Sequence, residues 1–229
     1  MSNKALYTIS GISAIFGTLL LLVANLGGMF METASGLGSM IPEESLGALV
    51  ETPGPVLLSG WLNIYGALFI AIAVIGIYRF MQNAGWQMLA PVIVMEFGLV
   101  ILTISYLVML GGVYHLAPLF EQGASLEALY GAEYLRKIVF EVSVVYASWL
   151  TLGLSPALFG AFGLKSASIP KWISLVALIG GVVGMFVWLK GYPWQAERTA
   201  LVFVNLLGFT VWMIGVGIIM LKNRQKSGV

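Results

Sequence analysis

Cysteine and aspartate are both absent from this chain of 229 residues, and it contains a single histidine. Without cysteine there is no disulfide, no thiol nucleophile and no cysteine-based zinc or iron–sulfur site. One histidine is too few for a bis-histidine haem or a carboxylate–histidine di-iron centre. Charged residues make up only 9% of the chain, against roughly 25% in soluble domains. We therefore expect an integral membrane protein, with no metal site and no cofactor.

Hydrophobic residues, 59% of the chain, collect into six long runs. Each run reaches the length of about 20 residues that a helix needs to cross roughly 30 Å of hydrocarbon. The predicted spans are residues 5–30, 56–78, 88–112, 138–164, 172–189 and 199–221. The connections are too short for a soluble domain. The sequence therefore predicts an all-α fold in which residues 1–229 form one six-helix transmembrane bundle.

Basic residues are distributed unevenly between the two sides of the predicted bundle. Seven of the eleven lie on the side that holds both termini, without any glutamate: Lys4, Arg79, Lys165, Lys171, Lys222, Arg224 and Lys226. Cytoplasmic loops carry the excess of lysine and arginine in membrane proteins. Both termini are therefore predicted to be cytoplasmic. Because this rule accounts for the basic residues, we expect no nucleic-acid partner and expect membrane lipids as the immediate surroundings.

Small residues and one proline indicate how the helices pack. Span five contains Gly180 and Gly184 at four-residue spacing, and span four contains Gly153 and Ala157 at the same spacing. Small residues let helix backbones approach closely in lipid. Pro156 is predicted to kink span four, with the neighbouring serine available to satisfy a freed backbone group.

Four polar residues within the spans are the candidate ligand contacts: Glu96, Asn63, Asn205 and Glu141. An ionisable group in hydrocarbon costs a few kcal/mol and marks a possible functional site. Glu96 has only apolar residues one turn away on its own helix, so its partner must come from elsewhere. Lys137, one turn before Glu141, offers a local ion pair instead. The alternative for these polar groups is hydrogen bonding between helices for packing alone.

Two long connections are predicted on the side away from the termini, at residues 31–55 and 113–137. Each contains a short amphipathic stretch that either covers the end of the bundle or acts as a lid. His115, Arg136 and Arg198 are predicted at the mouth of a pocket on this side. The inner half of the bundle has few polar groups, which favours a pocket that opens outward.

Three short passages resemble a family of uncharacterised bacterial six-span membrane proteins, grouped as a domain of unknown function. They are residues 59–66 (SGWLNIYG), 92–96 (VIVME) and 168–174 (SIPKWIS), and the final span at 212–217 (WMIGVG) fits the same family. The resemblance implies the six-span fold, a bacterial cytoplasmic (inner) membrane and a glutamate at position 96. It implies no activity.

The sequence favours a membrane protein with an outward-facing polar pocket that binds or transports a small or lipidic molecule. Two alternatives stay open. One is an intramembrane enzyme acting on lipid, with Glu96 or Glu141 as acid–base and His115 assisting. The other is a structural or accessory subunit, in which the polar groups only lock helices together and which has an oligomeric or partner interface.

Overall fold

The computed structural model describes residues 3–34, 41–188 and 198–223, with side chains throughout except at 28–34, 198 and 199. Nine α-helices lie in these ranges: α1 (Asn3–Ala34), α2 (Pro42–Glu51), α3 (Pro53–Phe80), α4 (Leu89–Gly111), α5 (Ala117–Glu121), α6 (Leu126–Ser148), α7 (Ser155–Gly163), α8 (Lys171–Val187) and α9 (Arg198–Asn223). Two π-helical segments, Gly112–Leu116 and Trp149–Leu154, join α4 to α5 and α6 to α7. The all-α prediction is confirmed for this part of the chain.

Five helical stretches are long and apolar enough to cross a membrane: Asn3–Gly27, Pro53–Phe80, Trp86–Glu121, Leu126–Gly163 and Ala200–Asn223. The chain thus has the helices of a multi-pass membrane protein. The predicted span at 172–189 corresponds to α8, an apolar helix of 17 residues. Its last residue, Leu189, lies outside the described residues. The count of six spans and the cytoplasmic placement of the termini stay predictions.

The predicted connection at 113–137 is almost entirely helical, and the expectation of a long loop there was wrong. The third long helix continues through a π-helical segment to Glu121, and α6 begins at Leu126. Only residues 122–125 join them, and Gly123 has φ +72°, a left-handed conformation that glycine adopts without strain. The first turns of α6 therefore project beyond the predicted span.

The long helices form a closed ring. In chain order α1, α3, α4, α6–α7, α8 and α9 each pack against the next, and α9 packs against α1. Successive helices alternate in direction. The bundle therefore has a terminal end, where α1 begins and α9 ends, and a distal end, where α2 and α5 lie.

Glycines allow the closest approaches between neighbouring helices in this ring. The Cα of Gly17 in α1 faces α3, where an added Cβ would lie 3.0 Å from the carbonyl oxygen of Gly66. At Gly181 in α8 it would overlap the backbone of Ala157 in α7. Such contacts let backbones gain dispersion energy in a lipid surrounding that supplies no hydrophobic drive for helix association. The small residues that indicated helix packing therefore lie at such contacts: Gly153 of the fourth span approaches α8, and Gly180 of the fifth approaches α9.

Large apolar side chains fill the terminal half of the ring. Five methionines there are almost completely buried: Met81, Met88, Met95, Met213 and Met220. Trp212 and Phe159 are also buried, with ring centroids 5.2 Å apart. Methionine has three flexible torsions and packs into irregular gaps. This half of the bundle is consequently a solid core.

Candidate functional site

A cavity of about 140 Å³ lies inside the ring, in its middle and distal parts. Residues of the five long helical stretches form its wall, together with Trp188, which directly follows α8. Its lining consists of Thr18, Leu21, Leu22, Asn25, Asn63, Leu99, Leu102, Tyr106, Val144, Ser148, Thr151, Leu152, Trp188, Val202, Leu206, Phe209 and Thr210. The wall is mainly apolar, with a few hydroxyl and amide groups. Small-molecule sites in proteins have this composition.

The cavity ends toward the terminal end at an aromatic floor. Phe209 lines the cavity and packs edge-to-face against Trp212, at a centroid distance of 5.9 Å. Trp212 in turn contacts Phe159. These rings therefore lie between the cavity and the methionine-rich core.

Asn25 and Asn63 form a polar pair on the cavity wall. The Asn25 amide donates to the Asn63 side-chain oxygen at 3.3 Å and to the Leu21 carbonyl at 2.7 Å. The Asn63 amide donates to the Ser59 carbonyl at 2.9 Å. Asn63, one of the predicted ligand contacts, therefore lines the cavity and also ties α3 to α1.

Asn205 lies beside the cavity and holds neighbouring parts of the bundle together through hydrogen bonds. Its amide donates to the carbonyls of Leu152, at 2.8 Å, and Gly180, at 2.9 Å, and its oxygen accepts from the indole N–H of Trp188 at 3.1 Å. Pro156 has no N–H to donate to Leu152, four residues earlier, so Asn205 satisfies the carbonyl that proline leaves open. The amide of Asn205 is thus engaged within the protein.

The serine expected to relieve the proline kink has a different partner. Ser155 Oγ donates to the carbonyl of Pro91 in α4 at 2.8 Å. It therefore fastens α7 to α4, while Asn205 in α9 supplies the bond to the Leu152 carbonyl. Residues 149–154 form a π-helical segment at this place, a common adjustment near an interrupted hydrogen-bond ladder.

Replacing Asn205 with leucine is expected to lower the free energy of unfolding by about 2 kcal/mol, because two carbonyls and one indole N–H lose their partner. Unfolding by SDS titration in mixed micelles measures this change. The control is Asn83→Leu, since Asn83 is exposed in the short connection between α3 and α4. Equal stability of the two variants would contradict the structural task of Asn205.

Glu96 is not among the described residues that line the cavity. It is half-buried on α4 beside the exposed Ile93, Phe97 and Val100, whereas the inward face of that helix carries Met95 and Leu99. Its Oε1 atom is buried and has no hydrogen-bond partner in the described part of the chain. The carboxyl of Glu96 therefore lies apart from the polar groups of the cavity, with which it was expected to form one site.

Glu141 and His115 lie apart from Glu96 as well. His115 is exposed, 19 residues further along the same continuous helix, which is about 28 Å at 1.5 Å per residue. Glu141 is exposed on α6, two residues before Ser143, whose hydroxyl accepts a bond from Ser105 at 2.8 Å. Ser105 is about 13 Å along α4 from Glu96. These three groups do not converge on one point, as a shared acid–base site requires.

The distal end contains a buried ion pair that was not predicted from the sequence. Glu133 is 0% exposed, and its carboxylate accepts two hydrogen bonds from the guanidinium of Arg136, each 2.6 Å long. Ser45 in α2 donates to the same carboxylate at 2.7 Å. Arg136 also donates to the Met109 carbonyl at 3.1 Å. Three helices, α2, α4 and α6, are fastened together at this cluster.

Arg136 was predicted at the pocket mouth, but its guanidinium is engaged in this cluster and is not among the described cavity-lining residues. The side chain of Arg198, the other basic residue predicted there, lies outside the described side chains. The spacing of Glu133 and Arg136, three residues apart on a helix, was the available signal for the ion pair. The prediction instead placed Arg136 at the pocket mouth.

The short helix α2 packs on the distal end through an apolar face. Leu46 and Leu49 are buried against Ala117 and Leu129. Beside them Tyr130 hydrogen-bonds the carboxylate of Glu43. Together with Ser45, these contacts make α2 a packed cover of the bundle, one of the two roles expected for this segment.

No family model, curated protein or solved structure matches the chain. The resemblance to a six-span bacterial family therefore stays a prediction, and the site has to be interpreted from its own geometry. Among the described residues there is no group of three or more histidine or acidic side chains placed to hold a metal ion. Among the described residues, the cavity with its hydroxyl and amide groups is the candidate ligand site.

Proposed function

We propose that this protein is a multi-pass protein of a bacterial cytoplasmic membrane that binds or transports a small, predominantly apolar molecule. The observation that carries the proposal is the cavity of about 140 Å³ whose wall is formed by residues of the five long helical stretches and by Trp188. Its lining combines leucines and aromatic rings with threonine, serine and asparagine. An apolar wall with a few polar groups both attracts and orients a small ligand.

The position of the cavity supports access from the side away from the termini. The terminal half is filled by methionines, Trp212 and Phe159. If the positive-inside rule applies, that filled half faces the cytoplasm and the cavity lies in the outer half of the bilayer. Asn63 belongs to the proposed site as a lining residue. Asn205 supports the wall, and Glu96, Glu141 and Arg136 have no contact with the ligand in this proposal.

Filling the cavity tests the proposal. Val144 lines the cavity on α6, so Val144→Trp is expected to abolish a co-purifying ligand by occupying its space. Native mass spectrometry with lipid analysis of the purified protein detects such a ligand. Val142→Trp is the matched control, because Val142 is exposed on the same helix. We expect the control to retain the ligand.

Two results would count against a binding function. One is a wild-type protein without any stoichiometric bound species. The other is a bound species that survives in the Val144 variant, which would place it elsewhere. A melting temperature at or above that of the wild type in the Val144 variant shows that loss of ligand is not loss of fold.

An accessory subunit is the second candidate, and Glu96 is the observation that favours it. A half-buried carboxyl on the apolar α4 helix, with one oxygen unpaired among the described residues, can be satisfied by a cation from another subunit. This candidate predicts that Glu96→Gln weakens a complex recovered by cross-linking in membranes. It also predicts that the cavity variant Val144→Trp leaves that complex intact.

A further inference from the structure

Two hydroxyl groups on the cavity wall donate their hydrogens to the protein's own backbone. Thr18 Oγ1 donates to the Ala14 carbonyl at 2.6 Å, and Thr151 Oγ1 donates to the Ala147 carbonyl at 2.8 Å. Both acceptors are carbonyls one turn back on the same helix. A hydroxyl oxygen has two lone pairs in addition to its hydrogen. Each threonine therefore retains the capacity to accept a hydrogen bond from a ligand.

These two threonines stand on opposite walls. Thr18 belongs to α1, and Thr151 to the π-helical segment of the fourth long helix, three places away in the ring of six. The side chains are 1% and 3% exposed, so they are shielded from bulk water. A ligand donor placed on either side of the cavity thus finds a buried acceptor.

The charge of the wall restricts the ligand further. The described residues that line the cavity include no lysine, arginine, histidine or glutamate. A charged ligand would enter an apolar site without a counter-charge, at a large desolvation cost. An uncharged molecule avoids that cost.

The volume of the cavity limits the size of the ligand. Apolar cavities of about 150 Å³ take one benzene molecule, and this cavity measures about 140 Å³. Resting on the proposed binding function, we infer that the cavity takes an uncharged molecule of single-ring size that donates a hydrogen bond to Thr18 or Thr151. Phenol is the simplest probe of this class.

The inference is tested with four ring compounds of similar size: phenol, anisole, toluene and benzoate. Titration calorimetry on the protein in lipid nanodiscs, with empty nanodiscs subtracted for partitioning, measures each affinity. We expect phenol to bind more tightly than anisole and toluene by about 3- to 10-fold, the usual net effect of one neutral hydrogen bond. Benzoate is expected not to bind.

The double variant Thr18→Val/Thr151→Val removes both acceptors with little change of shape. It is expected to lower the affinity for phenol by about 3- to 10-fold and to leave the affinity for toluene unchanged. Thr103→Val is the control, because Thr103 also donates to a carbonyl on its own helix, Leu99, and is not among the described lining residues. This control should bind phenol like the wild type.

Three outcomes would overturn the inference: equal affinity for phenol and toluene, binding of benzoate as tight as phenol, or unchanged phenol binding in the double variant. Failure of all four probes also overturns it. A co-purifying lipid that is lost in Val144→Trp would then still support the proposed binding function, so the two proposals fail separately.

Discussion

Replacing Glu133 with alanine is expected to lower the free energy of unfolding by about 3–5 kcal/mol, the usual effect of breaking a buried ion pair from one side. The guanidinium of Arg136, only 11% exposed, loses its carboxylate, and Ser45 loses its acceptor. SDS titration in mixed micelles measures the stability. Hydrogen exchange of residues 42–51 is expected to accelerate, since α2 is held by Ser45.

Two further variants distinguish the loss of the ion pair from a general effect of removing a charge on stability. Glu127 is exposed in the first turn of the same helix, so Glu127→Ala should cost less than about 1 kcal/mol. Combining Glu133→Ala with Arg136→Met removes the unpaired cation and should recover part of the loss. Stability in Glu133→Ala as high as in Glu127→Ala would refute the role assigned to the cluster.

Replacing Gly181 with alanine is expected to destabilise the bundle by about 3 kcal/mol, at the upper part of the range for overpacking. The added Cβ would overlap the backbone nitrogen of Ala157 and lie 2.7 Å from the carbonyl oxygen of Gly153. Backbone atoms cannot rotate away as a side chain does. The helices α7 and α8 would therefore have to separate, and the apparent melting temperature in detergent should fall.

The same substitution at Gly131 is expected to have the opposite effect on stability. Gly131 is exposed on α6, and an added Cβ there meets no described atom within 4 Å. Alanine is a better helix former than glycine by roughly 0.5–1 kcal/mol, so Gly131→Ala should stabilise the protein. A similar loss of stability in both variants would mean that close packing at Gly181 is not the cause.

The helices of this fold were largely predictable because hydropathy is a local property. Runs such as 56–78 are apolar over the length a membrane requires, and α3, Pro53–Phe80, contains that run with a few residues added. The distal extension of α4 was not predicted, since it contains a charge and a proline, whereas the start of α6 was expected as a short amphipathic stretch leading into the fourth span. Their buried residues Ala117 and Leu129 pack in one cluster with Leu46 and Leu49 of α2, which are distant in the sequence.

The types of residue at the candidate site could be predicted from the sequence, but which individual residues line the cavity could not. Asn63, a predicted ligand contact, lines the cavity, whereas Thr18 and Thr151 were not selected, because a threonine in an apolar helix normally bonds its own backbone. Glu96 was selected for its charge, but the direction in which it points depends on the rotation of α4 within the ring. Burial of Glu133 could not be inferred because it depends on contact with Ser45 of α2, which is 88 residues away in the sequence.

By itself, the sequence determined that this chain is a helical membrane protein without cysteine chemistry, and where its long apolar helices lie. Length, hydropathy and composition suffice for that, because each helix satisfies its own backbone hydrogen bonds in lipid. Only the tertiary structure decided that Asn205 bonds the Leu152 carbonyl that Pro156 leaves without a donor, that Glu133 is buried, and that the ring contains a cavity. These features depend on which side chains meet across helices, and a hydrogen bond or an ion pair exists only when both partners are in place.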